Sequence, residues 1–426
     1  MPIVISIYIA VPFCVSKCSY CDFNAYAGMN ELIAPYARAL AKEIRLTAPP
    51  GAPRHPPPSP DVVRWERGEG VGGEVHSLFF GGGTPSLAPL DSLSEIFAAI
   101  RQSFALTDDC EITLEDNPGT VTLEYLEGLR ALGVNRLSFG VQSAHANELQ
   151  LFNRIHSFEE ACEAVRLARR AGFLNVNVDL IYGIPGQTLE RWQESVERAL
   201  LLGPEHLSLY ALSLEYGTPM RAWVQRGLLA EPDTDLAAEM YEWADEALAQ
   251  AGFIQYEISN WARTKDEGGS MKDETVFPPS SFRLPTFACR HNLQYWRNDP
   301  YLGFGAGAHG CMNGFRYSNV LSPAAYIQRL ESGEARPFPF SPALADSIPV
   351  DAKTEMDETM LLGLRLTREG VEKDDFRQRF GVAMDDVYAK ELGELRERGL
   401  VEWDEAAVRV TKGGRLVANW VFEKFV

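Results

Sequence analysis

The most informative segment lies near the amino terminus, where an apolar run passes directly into three cysteines: Tyr8-Ile-Ala-Val-Pro-Phe-Cys14-Val-Ser-Lys-Cys18-Ser-Tyr-Cys21. With three and two residues between them, Cys14, Cys18 and Cys21 can converge from one loop onto one metal centre. The chain has seven cysteines, and an odd number with three packed together argues against a disulfide framework. The segment therefore predicts a metal site directly after a β-strand.

The number of ligands indicates the kind of metal. A structural zinc site takes four ligands, usually with a second Cys or His pair further along the chain, and no such pair follows Cys21. Three thiolates instead match a four-iron cluster in which one iron stays open for a substrate. A degenerate zinc or redox site is the alternative interpretation.

Along the chain, short apolar runs alternate with segments of helical periodicity. The predicted strands are Ile3–Ala10, Val75–Phe80, Glu111–Leu114, Arg136–Phe139, Asn175–Ile181 and His206–Leu212, and the predicted helices are Glu31–Leu46, Leu90–Ser103, Leu123–Leu132, Phe158–Ala171 and Leu189–Leu202. Alternation of this kind builds a parallel sheet, so the sequence predicts an α/β fold, an incomplete (β/α) barrel of the TIM type. Loops at the carboxyl ends of such strands carry the chemistry.

Changes in composition predict two domains. Residues 1–340 are expected to form the barrel and residues 341–426 a small α-rich, winged-helix-like domain. Two inserted, mobile surface loops are predicted at 49–73, which holds seven Pro and five Gly, and at 264–287. The carboxyl-terminal elements are expected at Glu355–Leu366, Asp374–Phe380, Met384–Arg398, Leu400–Trp403, Ala407–Val410 and Lys412–Phe425.

The charge of the chain limits its partners. A formal net charge of -19 repels phosphate backbones and anionic membranes, so we expect no nucleic-acid partner. No apolar run approaches the ~18 residues of a membrane helix. The start of the chain lacks a basic region and a cleavage site, which disfavours a secretory signal. We therefore expect a cytoplasmic protein that contacts membranes only through its partners.

Two further motifs follow predicted strands. Gly81-Gly82-Gly83-Thr84-Pro85 follows the second strand, and glycines there let backbone groups approach a ligand without interference from side chains. Glu115 ends the third strand, where a carboxylate accepts hydrogen bonds from a ribose or pairs with an ammonium group. A glycine triplet alone is only a turn, but its position at the same barrel end as the cysteines favours a ligand site.

With these motifs in place, the chain resembles the radical S-adenosylmethionine (SAM) proteins, whose three-cysteine loop and glycine motif are matched by Cys14–Cys21 and Gly81–Pro85. The resemblance implies a [4Fe–4S] cluster on Cys14, Cys18 and Cys21. It also implies that the open iron chelates SAM and that an electron donor is needed. In that family an electron from the reduced cluster cleaves a carbon–sulfur bond and gives a 5′-deoxyadenosyl radical.

Further segments narrow the resemblance to the group that contains oxygen-independent coproporphyrinogen III dehydrogenases and haem chaperones. These segments are Arg136-Leu-Ser-Phe-Gly-Val-Gln142-Ser, Arg154-Ile-His156 and Asp179-Leu-Ile-Tyr-Gly-Ile-Pro-Gly-Gln-Thr. By this resemblance Tyr8, Gly82 and Glu115 contact the cluster-bound SAM. A second SAM, whose presence here stays open, would lie against Tyr20, Gly83, Thr84, Gln142, Arg154 and Asp179. For Gln142 and Arg154 the plainer interpretation is a structural hydrogen-bond network.

Two positions separate the chaperones from the dehydrogenases. Dehydrogenases typically carry a fourth cysteine two residues after the third, where this chain has Phe23. Chaperones typically carry His-Asn-x-x-Tyr-Trp, matched here by His291-Asn-Leu-Gln-Tyr-Trp296. An imidazole is a haem ligand, and aromatic rings pack against a porphyrin face. Cys289 is an alternative haem ligand, and a packed structural histidine is the plainer interpretation of His291.

The sequence therefore predicts a haem chaperone that binds haem as cargo through His291 and transfers it to haem-dependent apoproteins. A dehydrogenase that decarboxylates coproporphyrinogen III is the alternative, so the enzyme question stays open. One departure from the family is Ala10, which stands where a histidine commonly follows the strand tyrosine. If that histidine steers SAM or protons, radical chemistry is weaker in this chain.

Overall fold

The computed structural model describes residues 4–48, 74–265 and 284–426, and these residues form two compact units. The first unit takes its described residues from 1–204, 210–237 and 300–349, and the second from 205–209, 238–299 and 350–426. The sequence-based division into residues 1–340 and 341–426 stays a prediction. The predicted insertion at 49–73 lies outside the described residues, as do residues 266–283 of the second predicted insertion.

The strands in chain order are β1 (Val4–Val11), β2 (Phe13–Cys14), β3 (Tyr26–Ala27), β4 (Glu74–Gly82), β5 (Ala105–Asp116), β6 (Arg136–Gln142), β7 (Val176–Tyr182), β8 (His206–Ala211), β9 (Phe253–Glu257), β10 (Asn260–Arg263), β11 (Tyr301–Phe304), β12 (His309–Met312), β13 (Phe315–Asn319), β14 (Leu344–Pro349), β15 (Val371–Glu372), β16 (Val401–Trp403) and β17 (Ala407–Val410). The helices are α1 (Ile33–Leu46), α2 (Leu90–Ser103), α3 (Leu123–Leu132), α4 (Ala146–Leu151), α5 (Phe158–Arg170), α6 (Leu189–Leu200), α7 (Pro219–Gln225), α8 (Thr234–Gln250), α9 (Arg290–Trp296), α10 (Pro323–Ser332), α11 (Ala352–Gly363), α12 (Lys373–Phe380), α13 (Met384–Glu397), α14 (Lys412–Leu416) and α15 (Ala418–Phe422).

A parallel sheet forms the centre of the first unit. Its strands lie in the order β11, β1, β4, β5, β6 and β7, and each pairs in parallel with its neighbour. Strands β6 and β7 are buried almost continuously, as is typical of strands inside a parallel sheet. The predicted α/β fold with a mostly parallel sheet and a helical carboxyl-terminal domain is confirmed.

Antiparallel strands β12, β13 and β14 continue this sheet beyond β11, and the sequence analysis did not predict them. A signal was present, because Asn313-Gly314 joins β12 to β13. Both residues have positive φ, 54° and 74°, as a two-residue type I′ hairpin turn requires. Asn-Gly between two short runs is the sequence pattern that identifies such a hairpin.

In the second unit, β10 pairs antiparallel with both β8 and β9, and β15, β17 and β16 form a small sheet beside helices α11 to α13. The predicted helix Lys412–Phe425 is wrong as one element. It is divided into α14 and α15 because Val417 adopts a non-helical backbone with φ -119° and ψ 31°. No helix in the described part of the chain is long and apolar enough to cross a membrane.

A buried carboxylate ties α1 to distant segments of the first unit. Glu43 is 1% exposed and accepts hydrogen bonds from the N–H of Gly305 (2.8 Å), from Nδ2 of Asn319 (2.8 Å) and from the hydroxyls of Tyr326 and Ser341. Burial raises the pKa of Glu43, and these donors oppose the rise. A buried carboxyl group is tolerated here because hydrogen-bond donors satisfy its oxygen atoms.

The same helix holds the end of β1. The hydroxyl of Tyr36 donates to the carbonyl of Ala10 (2.8 Å) and accepts from the N–H of Ala306 (2.7 Å). Ala10 lies at the carboxyl end of β1, and Ala306 follows the end of β11, which is paired with β1. Helix α1 therefore fixes the point from which the three-cysteine loop departs.

We expect Glu43→Ala to lower the free energy of unfolding by roughly 3–5 kcal/mol, because it leaves several buried donors without an acceptor. Urea denaturation monitored by circular dichroism measures the effect. Arg45→Ala on the exposed side of α1 is the matched control and should change stability by less than about 0.5 kcal/mol. Equal stability of the two variants would contradict the assigned role of Glu43.

Candidate functional site

The three cysteines lie on a loop whose two ends are held together. Strand β2 ends at Cys14 and pairs in parallel with β3, so that Phe13 lies opposite Tyr26. The N–H of Tyr26 also donates to the carbonyl of Pro12 (2.8 Å). All three cysteines are half-buried and carry free thiols. The loop therefore closes on itself and presents its sulfur atoms from one short segment.

The electrostatics of the thiols suit a cationic occupant. Burial raises the pKa of Cys14, Thr84 and Arg154 oppose the rise, and the charge of Cys18 adds to it. Burial raises the pKa of Cys21 to about 11, and the charges of Cys18 and Cys14 add to this rise. Three thiolates close together repel one another unless positive metal ions bind them. Iron ions would supply this positive charge.

Within the described residues, no group of three or more Cys, His, Asp or Glu side chains is arranged to hold a single metal ion. A cubane binds each thiolate through a different iron. The cluster prediction therefore does not require three sulfur atoms to meet around one ion. The donor set of three free thiols on one loop fits the cluster.

The glycine segment packs against the chain that enters the cysteine loop. The N–H of Gly83 donates to the carbonyl of Val11 (3.0 Å), and the N–H of Thr84 donates to the carbonyl of Phe13 (2.7 Å). A Cβ on Gly83 would lie 2.6 Å from the carbonyl oxygen of Phe13. Gly82 has a φ of +107°, which other residues rarely adopt. Only glycines therefore allow this close approach.

Glu115 and Tyr8 line the other side of the glycine segment. A Cβ on Gly81 would lie 2.9 Å from Oε2 of Glu115 and 3.0 Å from the hydroxyl of Tyr8. Oε2 of Glu115 also accepts a hydrogen bond from the N–H of Gly82 (3.2 Å). Burial raises the pKa of Glu115 to about 8, and the nearby charge of Asp179 contributes. A cationic ligand beside this carboxyl group would stabilise its charged form.

A second set of predicted residues includes Arg154, which reaches Cys18. Nη1 of Arg154 lies 3.5 Å from Sγ of Cys18, and its Nη2 donates to the carbonyl of Gly140 (2.6 Å). Gln142 ends β6 with a φ of +70°, an uncommon conformation for a residue other than glycine. The ring of Tyr20 packs edge-on against Phe152, with the ring centroids 4.8 Å apart.

Asp179 belongs to the same unit, on β7. Its carboxylate accepts hydrogen bonds from Nδ2 of Asn177 (2.7 Å) and from the hydroxyl of Ser138 (3.3 Å). The charge of Asp179 contributes to raising the pKa of both Glu115 and Arg154. The first unit thus brings together every predicted site residue except His291; their assignment to cluster and SAM stays a prediction.

His291 lies in the second unit, on the short helix α9, and is 1% exposed. Its Nε2 is 3.0 Å from the hydroxyl of Tyr295, and the two rings meet edge-on with centroids 4.9 Å apart. Cys289, the alternative ligand, is fully buried. The guanidinium of Arg365 lies 4.4 Å from the ring centroid of Trp296. Haem ligation by His291 would therefore require a movement that exposes the imidazole.

Sequence reasoning missed the residues that fasten the cysteine loop. Nδ2 of Asn153 donates to the carbonyl of Lys17 (3.1 Å), and the N–H of Ser19 donates to the carbonyl of Phe152 (3.1 Å). The N–H of Met220 donates to the carbonyl of Ser19 (2.9 Å). No local pattern signals contacts between residues so far apart in the chain. The Asn153-Arg154 pair after a helix was a weak indication of a left-handed turn.

Comparison with known proteins identifies the family of this chain. The model of the radical SAM superfamily matches residues 8–199, and that of the HemN C-terminal domain matches residues 350–417. The chain is similar to heme chaperone HemW of Bacillus subtilis, with 35% identity over 424 residues that cover 99% of each chain. The chain belongs to the HemW family of radical SAM proteins. The predicted family is therefore confirmed, and membership implies a [4Fe–4S] cluster and SAM.

Other members of the family show the same extent of similarity. Heme chaperone HemW of Mycobacterium tuberculosis is 34% identical over 419 residues, which cover 97% of this chain and 93% of that protein.

Among solved structures, coproporphyrinogen III oxidase (HemN) of Escherichia coli matches with a TM-score of 0.76 at 24% identity, covering 100% of this chain and 90% of that chain. The structural likeness shows the shared fold.

We expect Cys18→Ser to abolish the brown iron–sulfur absorbance after anaerobic reconstitution while the circular dichroism spectrum is retained, because a loop thiol contributes little to the sheet and its helices. Cys162→Ser on α5 is the matched control and should keep the absorbance. Loss of folding in Cys18→Ser would instead indicate a structural metal, and unchanged absorbance would contradict the ligand assignment.

Glu115 predicts a pH dependence of stability in the ligand-free protein. Its pKa of about 8 in the folded state lies above its ordinary value of 4.5, so the native state holds more protons between these values. The free energy of unfolding should therefore fall as pH rises through this range, by at most about 1.4 kcal/mol per pH unit for one proton. Glu115→Gln should show a shallower slope, because other buried carboxyl groups with a raised pKa, such as Asp116 and Glu257, still contribute.

Urea denaturation at several pH values between about 5 and 8 measures this slope. Exposed Glu124→Gln on α3 is the control and should retain the wild-type slope. The assignment is contradicted if Glu115→Gln and the wild type lose stability equally as the pH rises.

Proposed function

We propose that this chain is a haem chaperone, which binds haem and transfers it to haem-dependent apoproteins, and which carries a [4Fe–4S] cluster and SAM in its first unit. The observation that carries the proposal is the similarity to HemW over 99% of both chains at 35% identity. Similarity over the whole length includes the carboxyl-terminal half, which the radical SAM model at residues 8–199 does not reach.

The position of Phe23 supports a chaperone over a dehydrogenase. A fourth cysteine is typical of the dehydrogenases two residues after Cys21, and this chain has a phenylalanine that is 66% exposed. The carbonyl of Phe23 accepts from the N–H of Ala25 (2.7 Å) and from Nζ of Lys17 (3.3 Å). No thiol is available at this position.

In this proposal Cys14, Cys18 and Cys21 hold the cluster, and Tyr8, Gly82 and Glu115 bind SAM. When bound and reduced, the cluster supplies one electron to the sulfonium group of SAM. Glu115 would accept hydrogen bonds from a ribose or pair with the ammonium group, and its raised pKa leaves a proton to be released as the ligand binds. The N–H of Gly82 holds the carboxylate in position.

The cargo, the partners and the location belong to the same proposal. His291 is the proposed haem ligand. A one-electron donor serves the cluster, and the recipients are haem-dependent apoproteins in the cytoplasm. A second SAM would use Tyr20, Gly83, Thr84, Gln142, Arg154 and Asp179. The formal charge of -19 supports the exclusion of nucleic acid as a partner.

The deciding experiment is a haem titration of the anaerobically reconstituted protein, run beside a decarboxylation assay on the same preparation. We expect stoichiometric haem binding and no conversion of coproporphyrinogen III to protoporphyrinogen IX in the presence of SAM and dithionite. Conversion of the porphyrinogen would overturn the proposal in favour of the dehydrogenase. Absence of both haem binding and conversion would indicate a radical SAM enzyme with another substrate.

The same titration tests His291. We expect His291→Ala to weaken haem binding by about tenfold or more, since it removes an axial ligand. Tyr295→Phe is the matched control: it removes the hydroxyl beside Nε2 but keeps the imidazole, and should bind haem at least as tightly as the wild type. Wild-type affinity in both variants would make the histidine structural.

A further inference from the structure

Helix α4 ends in a turn that contacts the cysteine loop through side chain and backbone. The hydroxyl of Ser19 donates to the carbonyl of Leu151 (2.7 Å), and the N–H of Ser19 donates to the carbonyl of Phe152 (3.1 Å). The side chain of Asn153 donates to Oγ of Ser16 (2.9 Å). These contacts set the cysteine loop against the end of α4.

The turn has the geometry that aims Arg154 at this loop. Asn153 has a φ of 57°, a left-handed conformation that asparagine tolerates better than most residues. The N–H of Arg154 then donates to the carbonyl of Leu149 (2.9 Å), which closes α4 in the manner of a Schellman motif. The chain turns out of the helix at Arg154, whose side chain extends to Cys18.

The guanidinium of Arg154 is oriented by one acceptor and directed at one sulfur. Nη2 donates to the carbonyl of Gly140 (2.6 Å), while Nη1 lies 3.5 Å from Sγ of Cys18. A Cβ on Gly140 would lie 3.1 Å from Nη2, so glycine permits this approach. Nε is buried and has no hydrogen-bond partner among the described residues. Both terminal nitrogens are thus engaged inside the protein.

We propose that Arg154 tunes the reduction potential of the cluster by donating a hydrogen bond from Nη1 to the sulfur of its ligand Cys18. This inference rests on the proposed cluster and adds a role for a residue that otherwise serves only as a candidate contact of a second SAM. Arg154 acts through Cys18 and is therefore a positioning and tuning residue.

The direction of the effect follows from charge. Reduction adds one electron to the cluster, and part of the added negative charge falls on the cysteine sulfurs. An N–H donor on a guanidinium that stays protonated stabilises that charge, more strongly in a partly buried site than in water. The reduced cluster is stabilised more than the oxidised cluster, so Arg154 raises the reduction potential of the cluster.

The test is a potentiometric titration of the reconstituted cluster without SAM, with dithionite as the reductant and electron paramagnetic resonance as the readout. Omitting SAM separates an effect on the cluster from contact with a nucleotide. In Arg154→Met, which keeps the apolar stem but no donor, we expect about a tenfold lower ratio of reduced to oxidised cluster at a fixed potential. For one electron this ratio corresponds to about 59 mV.

Two further variants make the result specific. Arg154→Lys keeps the charge but cannot reach both Cys18 and Gly140, so it should give an intermediate potential. Asn153→Gly permits the left-handed turn and removes only the contacts to Ser16 and Lys17, so it should keep the wild-type potential. An equal shift in Asn153→Gly would show that fastening of the loop sets the potential, and would overturn the proposal.

Equal potentials in the wild type and Arg154→Met would also overturn it. If Arg154→Met assembles no cluster, Arg154→Lys decides: a potential below that of the wild type supports the proposal, and an equal one overturns it. Failure of the wild type itself to assemble a cluster would instead refute the proposed function, so the two failures are distinguishable.

Discussion

The central constraint on this protein is that a largely irregular loop must hold three thiols in place. Every backbone N–H and C=O on such a loop that is removed from water needs a partner. Several of the partners come from segments far away in the chain. Gly83 and Thr84, after β4, donate to the carbonyls of Val11 and Phe13. The carbonyl of Phe152, at the end of α4, accepts from the N–H of Ser19, and the N–H of Met220 on α7 donates to the carbonyl of that serine. The cysteines are therefore placed by their neighbours.

These supports explain the residue types around the loop. Glycine at position 83 is required because a side chain would collide with the backbone of Phe13. Asparagine at position 153 suits a left-handed turn and also supplies an amide that reaches the loop. Helix α1 adds the buried Tyr36, which fixes the carboxyl end of β1, and the buried Glu43, which holds the chain after β11 at Gly305. Local backbone geometry and long-range fastening are thus met by the same residues.

The pKa values of three acidic groups at the site are shifted in the same direction. Burial raises the pKa of Cys14, Cys21 and Glu115 in the ligand-free protein. Desolvated acidic groups of this kind favour a cationic occupant, and iron ions, a sulfonium and an ammonium group are all cationic. The net charge of -19 acts over the whole surface, whereas the raised pKa values are local to the site. Specificity comes from the local groups.

The sequence by itself determined the family and the main strands and helices as far as β8, whereas β9 to β14 were not predicted. Hydrophobic periodicity located α2 and α3 to the residue, because it reports which face of an element is apolar. The spacing of three cysteines and the glycine segment identified the radical SAM family, because both are local patterns. Only the tertiary structure decided that Arg154 meets Cys18, 136 residues away, and that the N–H of Met220 donates to the carbonyl of Ser19. Contacts of this kind depend on how elements pack, and periodicity along the chain carries no record of them.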